Sequence, residues 1–96
     1  MNKAYWIGFY RNISDNEKLA AYATLALPAL QIAGGTFLAR GMPDTVWEAG
    51  EKNRTVLVQF DSIEAARAAY DSSAYQEALA ELGDGAVRDL RVIEAA

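Results

Sequence analysis

The 96 residues predict an α+β sandwich, a single antiparallel sheet with helices packed on one side. Three observations carry this. Two short segments, AYWIGFYR at 4–11 and RTVLVQF at 54–60, are rich in β-branched and aromatic residues. Each is followed by a longer stretch that opens on helix-capping residues and spaces its apolar side chains three and four apart. Strand and helix signals also fill the chain from end to end, without a repeat, a low-complexity tract or a linker. One domain over residues 1–96 follows.

In the first strand, alternation places Tyr5, Ile7 and Phe9 on one face and Trp6, Gly8 and Tyr10 on the other. Neither face is built for open water. Ser14 and Glu17 have capping-box spacing, so a helix is expected from there to about Ala33. Its inward stripe is Leu19, Tyr22, Ala23, Ala26, Leu27 and Leu30, with Pro28 predicting a kink and Gly34 the residue that ends it. Residues 35–40 make a second strand. Gly41-Met-Pro-Asp44 reads as a turn, and Thr45–Ala49 as a short return strand pairing Leu38 with Trp47 and Arg40 with Thr45. After RTVLVQF, Asp61 and Glu64 suggest a capped helix that Asp71-Ser-Ser73 interrupts. Ser73 and Gln76 open its second half, with Tyr75, Ala78, Leu79 and Leu82 inward, and residues 87–94 form the last strand. The result is a ferredoxin-like βαββαβ sandwich with an inserted hairpin.

Composition narrows the function. Apolar residues make up 52% of the chain, a high share for so short a domain, which buries only roughly 60–65% of its unfolded surface. Several strands are apolar on both faces, so a homodimer is expected, with two sheets packed face to face in a dimeric α+β barrel. Net charge is −4 and the nine basic residues are scattered, which argues against nucleic acid as partner. RTVLVQF also lacks the aromatic pattern by which RNA-recognition modules of this topology stack bases. With neither cysteine nor histidine, thiolate chemistry, cysteine- or histidine-based metal sites and histidine-ligated haem are excluded. No metal and no cofactor are expected. The start, MNKAYWIGFYR, becomes charged too early for a signal peptide, and no apolar run reaches membrane-spanning length. A cytoplasmic protein without a membrane partner is the expectation.

The YWI strand, the GGTFLARG segment at 34–41, Trp47-Glu48-Ala49-Gly50 and VLVQFDSIEAARAAYDSSAYQEAL together resemble the domain of unknown function 1330 family. The family pattern S-x-x-A-x-x-(W/Y)-x-S-x-x-Y maps onto Ser62, Ala65, Ala69 or Tyr70, Ser72 or Ser73, and Tyr75. The resemblance covers nearly the whole chain and implies a dimeric α+β barrel of ferredoxin-like protomers, with no reaction assigned. The chain departs from the family pattern at Met42-Pro43-Asp44, where a second glycine is common, and after Gly50.

Arg40 is the residue of GGTFLARG that burial does not explain. Its planar guanidinium suits an anionic ligand entering between helices and sheet. Otherwise it pairs with Glu48 or Asp44, or stacks on Trp47 across the hairpin. Glu48 is a candidate general base if burial raises its pKa, or a turn or intersubunit contact. Trp6, Tyr10, Tyr22 and Phe37 either line a pocket or pack the core. Tyr22 stands out because its hydroxyl, on the inner helix face, needs a partner. The ligand-binding candidates are therefore Arg40, Tyr22, Trp6, Trp47 and Glu48. The expected function is binding of a small hydrophobic or anionic metabolite. The alternative is a cofactor-independent oxygenase or isomerase, which calls for an apolar cavity with Arg40 and a perturbed acid or tyrosine at its mouth.

Overall fold

The computed structural model describes residues 2–96. Its elements run β1 (Ala4–Ile13), α1 (Asn16–Ile32), β2 (Thr36–Gly41), β3 (Thr55–Phe60), α2 (Ile63–Asp71), α3 (Ser73–Leu82) and β4 (Ala86–Glu94). The four strands form one antiparallel sheet in the order β2-β3-β1-β4, the ferredoxin-like arrangement. The molecule measures 36 × 34 × 16 Å, and its thin dimension has room for only two layers, sheet and helices.

Alternation sorts the sheet as the sequence implies. Trp6, Gly8 and Tyr10 of β1 are buried under the helices, and so are Val58 and Phe60 of β3. Trp6 anchors this layer, with its ring 5.2 Å from Tyr75 in edge-on contact and 5.9 Å from Phe60. Tyr5, Ile7 and Phe9 stay half-buried on the other face, and Ile93 beside them is 57% exposed.

Helix α1 continues through Pro28, and Gly34 and Gly35 end it as a Schellman motif. The Gly34 N–H donates to the Gln31 carbonyl at 3.0 Å, and the Gly35 N–H donates to that of Leu30 at 2.8 Å. Gly34 takes φ +99°, and Gly35 lies so close to Phe60, Val58 and the Leu30 carbonyl that a Cβ would meet all three within 3 Å. The helix starts each lie one residue from the predicted cap. Asp15 rather than Ser14 accepts from the N–H groups of Glu17 and Lys18, Ser62 caps α2, and Ser72 caps α3. At each start two acceptors are adjacent, and spacing to a downstream Glu or Gln picks the wrong one.

The inserted hairpin is absent. Residues 42–54 hold no strand, so Leu38 does not pair with Trp47, nor Arg40 with Thr45. The physical reason is a tight turn within the expected strand: the Gly50 N–H donates to the Trp47 carbonyl at 2.9 Å while Glu48 adopts φ +54°. β2 pairs with β3 instead, and its register shifts between Phe37 and Ala39. Phe37 lies opposite Val58 and Arg40 opposite Val56, both on the helix face. Without the extra residue, Leu38, two positions three apart would point to opposite faces.

Candidate functional site

Two concavities flank Arg40. The first lies on the open sheet face, about 670 Å³ between the 42–54 loop and residues including Phe9, Arg11, Asp89 and Arg91. Two of its cations share one carboxylate: Asp89 accepts from Arg91 at 2.8 Å and Arg11 at 3.1 Å, and Arg91 holds its carboxyl below the usual carboxylate range, while Arg40 lines this concavity as well. The second is a narrow cleft of about 50 Å³ between α1 and the helix face of the sheet. Apolar side chains line it, Trp6, Leu27, Leu30, Phe37, Val56 and Leu90, together with Tyr10, Tyr22 and three arginines, Arg40, Arg54 and Arg88.

Strand phase brings those arginines together. Arg54 precedes β3 in step with Val56 and Val58, Arg40 sits opposite Val56 through the bulge, and Arg88 lies opposite Tyr10 in step with Leu90. None of the three is in an ion pair among the described residues, whereas four other cations, Lys3, Arg11, Lys18 and Arg91, each have a carboxylate. In a chain of net charge −4 this concentrates positive potential in one apolar cleft.

Arg88 is held by tyrosines. Its Nη1 donates to the Tyr22 hydroxyl at 2.8 Å, and Nη1 and Nη2 each reach the Tyr75 hydroxyl at 3.4 Å. Its guanidinium also lies 4.8 Å from the Tyr22 ring centre and 5.8 Å from that of Tyr10. The Tyr22 and Tyr75 hydroxyls are 2.7 Å apart. Burial pushes the Tyr22 pKa far above its ordinary value of 10.0, against the pull of Arg88, so it is a neutral phenol at physiological pH. Burial opposes the charge of Arg88, but the surrounding tyrosine oxygens outweigh it and raise its pKa.

Of the residues singled out in the sequence, Trp6, Tyr22 and Arg40 line this cleft. Trp47 and Glu48 do not: both sit on the exposed 42–54 loop, Trp47 78% exposed, and neither lines either concavity. Arg40 pairs with neither Glu48 nor Asp44. Arg54, Arg88 and Tyr75 were missed. The signal for the arginines was present, a cation in phase with apolar neighbours on the buried face of a strand. The partnership of Tyr75 with Tyr22 had none, because it joins residues 53 positions apart.

The family model for domain of unknown function 1330 matches residues 3–96. The chain belongs to this family. No curated protein matches it in sequence. Among solved structures it is similar to the RPA0582 protein of unknown function from Rhodopseudomonas palustris, at 16% identity and TM-score 0.75, covering 99% of this chain and 83% of that one. A dimeric ferredoxin-like protein of unknown function from Thermobifida fusca follows at 20% identity and TM-score 0.66, over 98% and 92%. SnoaB, a cofactor-independent oxygenase from Streptomyces nogalater, superposes at 12% identity and TM-score 0.67, over 100% and 95%. At these identities the likeness establishes the ferredoxin-like fold of this family member. No described helix is long and apolar enough to cross a membrane.

Proposed function

We propose that this domain of unknown function 1330 protein binds a small amphipathic anion in the helix-side cleft, its charged group among Arg40, Arg54 and Arg88. The observation that carries this is three arginines lining one apolar cleft without a carboxylate partner among the described residues. A guanidinium in such surroundings gains most from a planar anion that forks onto it. The free volume of about 50 Å³ admits a head group of one or two water-sized units. A ligand body therefore enters as the half-buried Leu27 and Phe37 turn outward.

Matched probes isolate the charge. Hexanoate and 1-hexanol share a tail and differ in the head group, and Trp6 reports from the cleft wall once the exposed Trp47 is replaced in a Trp47→Phe background. Saturable fluorescence change with hexanoate, at least ten-fold weaker with hexanol and with Arg54→Gln, is expected. Equal responses to the two probes would refute the anion site.

We also propose a homodimer that buries the open sheet faces, supported by the apolar Ile7, Phe9, Leu57 and Ile93 on that face and by the dimeric Thermobifida fusca neighbour. A second reading, catalysis without a cofactor, is favoured by the buried Tyr22 hydroxyl in an apolar cleft, a donor for an anionic intermediate, and by the likeness to SnoaB. It expects oxygen uptake with an anionic polyphenol above the uncatalysed rate, abolished in Tyr22→Phe. Uptake at the background rate leaves the binding reading alone.

A further inference from the structure

Hydrogen accounting in the tyrosine pair leads one step further. Two hydroxyls 2.7 Å apart carry two hydrogens, and only one hydrogen lies on the line between them. The second needs another acceptor. Arg88, the one other group bonded to either hydroxyl among the described residues, has donors only. Tyr75 is fully buried and lies outside the cleft lining, so a hydrogen left over on its oxygen would be stranded in the core. Tyr22 lines the cleft.

From this we infer that Tyr75 donates to Tyr22, and that Tyr22 directs its own O–H into the cleft as the donor for a carboxylate or carbonyl oxygen of the ligand. The Tyr22 oxygen then accepts from Tyr75 at 2.7 Å and from Arg88 Nη1 at 2.8 Å and donates once, which fills its hydrogen-bonding capacity. Two donors onto one oxygen polarise the remaining O–H and strengthen it as a donor. Its high pKa keeps that hydrogen in place, so Tyr22 gives a hydrogen bond and does not act as a base. Arg88 has further N–H groups to spare, so the same ligand oxygen, or its twin in a carboxylate, meets a cation and a phenol side by side. This fits a ligand whose oxygen acceptor carries full or partial negative charge, and it fits an alcohol or amine poorly.

The inference rests on the cleft being the ligand site, but the direction of the hydrogen is measurable without a ligand. Neutron diffraction from the deuterium-exchanged, ligand-free protein is expected to place the Tyr75 deuteron between the two oxygens and that of Tyr22 toward the cleft. A Tyr22 deuteron on the line to Tyr75 would overturn it. Hexanoate titration, read by Trp6 in the Trp47→Phe background, then tests the ligand contact. Tyr22→Phe is expected to weaken binding about ten-fold or more, and Tyr75→Phe by a few-fold, since it only removes the polarising donor. Unchanged affinity in Tyr22→Phe would overturn the contact. Absence of hexanoate binding by the parent protein would count against the anion site itself, with the neutron result still fixing which way Tyr22 points.

Discussion

Tyr22 and Gly8 show how a single position shapes the cleft. Because burial raises the Tyr22 pKa, the folded protein holds that proton more tightly than the unfolded chain does. The associated stability is fully present below pH 10 and declines above it, as unfolded Tyr22 ionises and the folded form does not. Thermal melts between pH 9 and 11 are expected to show a steeper alkaline decline in the parent than in Tyr22→Phe. Parallel profiles would contradict a buried neutral phenol. Gly8 lies on the helix face of β1, in the cleft wall, where an added Cβ meets only the Leu90 Cδ1 atom at 3.4 Å. Gly8→Ala is therefore expected to raise stability by about 0.5 kcal/mol through lower chain entropy while narrowing the cleft and weakening hexanoate binding. Higher melting temperature with intact binding would place the ligand elsewhere. Part of this site was legible in the chain itself. Arg40 and Tyr22 announced themselves as polar groups on faces otherwise built for burial. Arg88 follows the same logic, two residues before Leu90 and four before Val92, and reading β4 by phase would have found it. The Tyr22–Tyr75 contact depends on how α1 and α3 meet, which no local pattern encodes.

Among the elements, α1 has the most heavily determined ends. Asp15 caps it with two N–H bonds at 3.0 and 3.1 Å, while the neighbouring Ser14 hydroxyl donates to the Asp84 carbonyl. Asp15→Ala is expected to cost about 1 kcal/mol, which in a domain of this size lowers the melting temperature by about 4–8 °C, and Ser14→Ala to cost less. Equal losses would restore Ser14 as a cap. At the other end, Gly35→Ala forces a methyl against the Leu30 carbonyl and the Phe60 and Val58 side chains, at an expected cost of about 1–3 kcal/mol in chemical unfolding. Element types and order were readable because each strand and helix carries its own period, and the Gly-Gly terminator is unambiguous. The return strand was misread because Thr45-Val-Trp47 has strand composition, whereas the Trp47–Gly50 turn is a backbone event at a glutamate, a residue type that seldom adopts positive φ.

At the scale of the whole molecule, a slab 16 Å thick leaves one sheet face uncovered, with Ile7, Phe9, Leu57 and Ile93 on it. Light scattering at micromolar concentration is expected to give about twice the 10.4 kDa chain mass, and Ile7→Asp, which places a charge at the centre of that face, to give the monomer. A parent protein at the chain mass would exclude the dimer. The two faces of this slab are then two different environments, one covered by helices and holding the cleft proposed for small anions, the other an open apolar surface that meets a second chain in the proposed dimer. The register shift at Leu38 puts Arg40 in phase with the helix face, at the border between the two concavities. Deleting that one residue would restore simple alternation and turn the guanidinium through the sheet, away from the proposed anion cleft and toward the open face. Among relatives, a one-residue gap at this place would thus mark a change of trade, and an arginine matched column for column across it would be the same letter doing a different job.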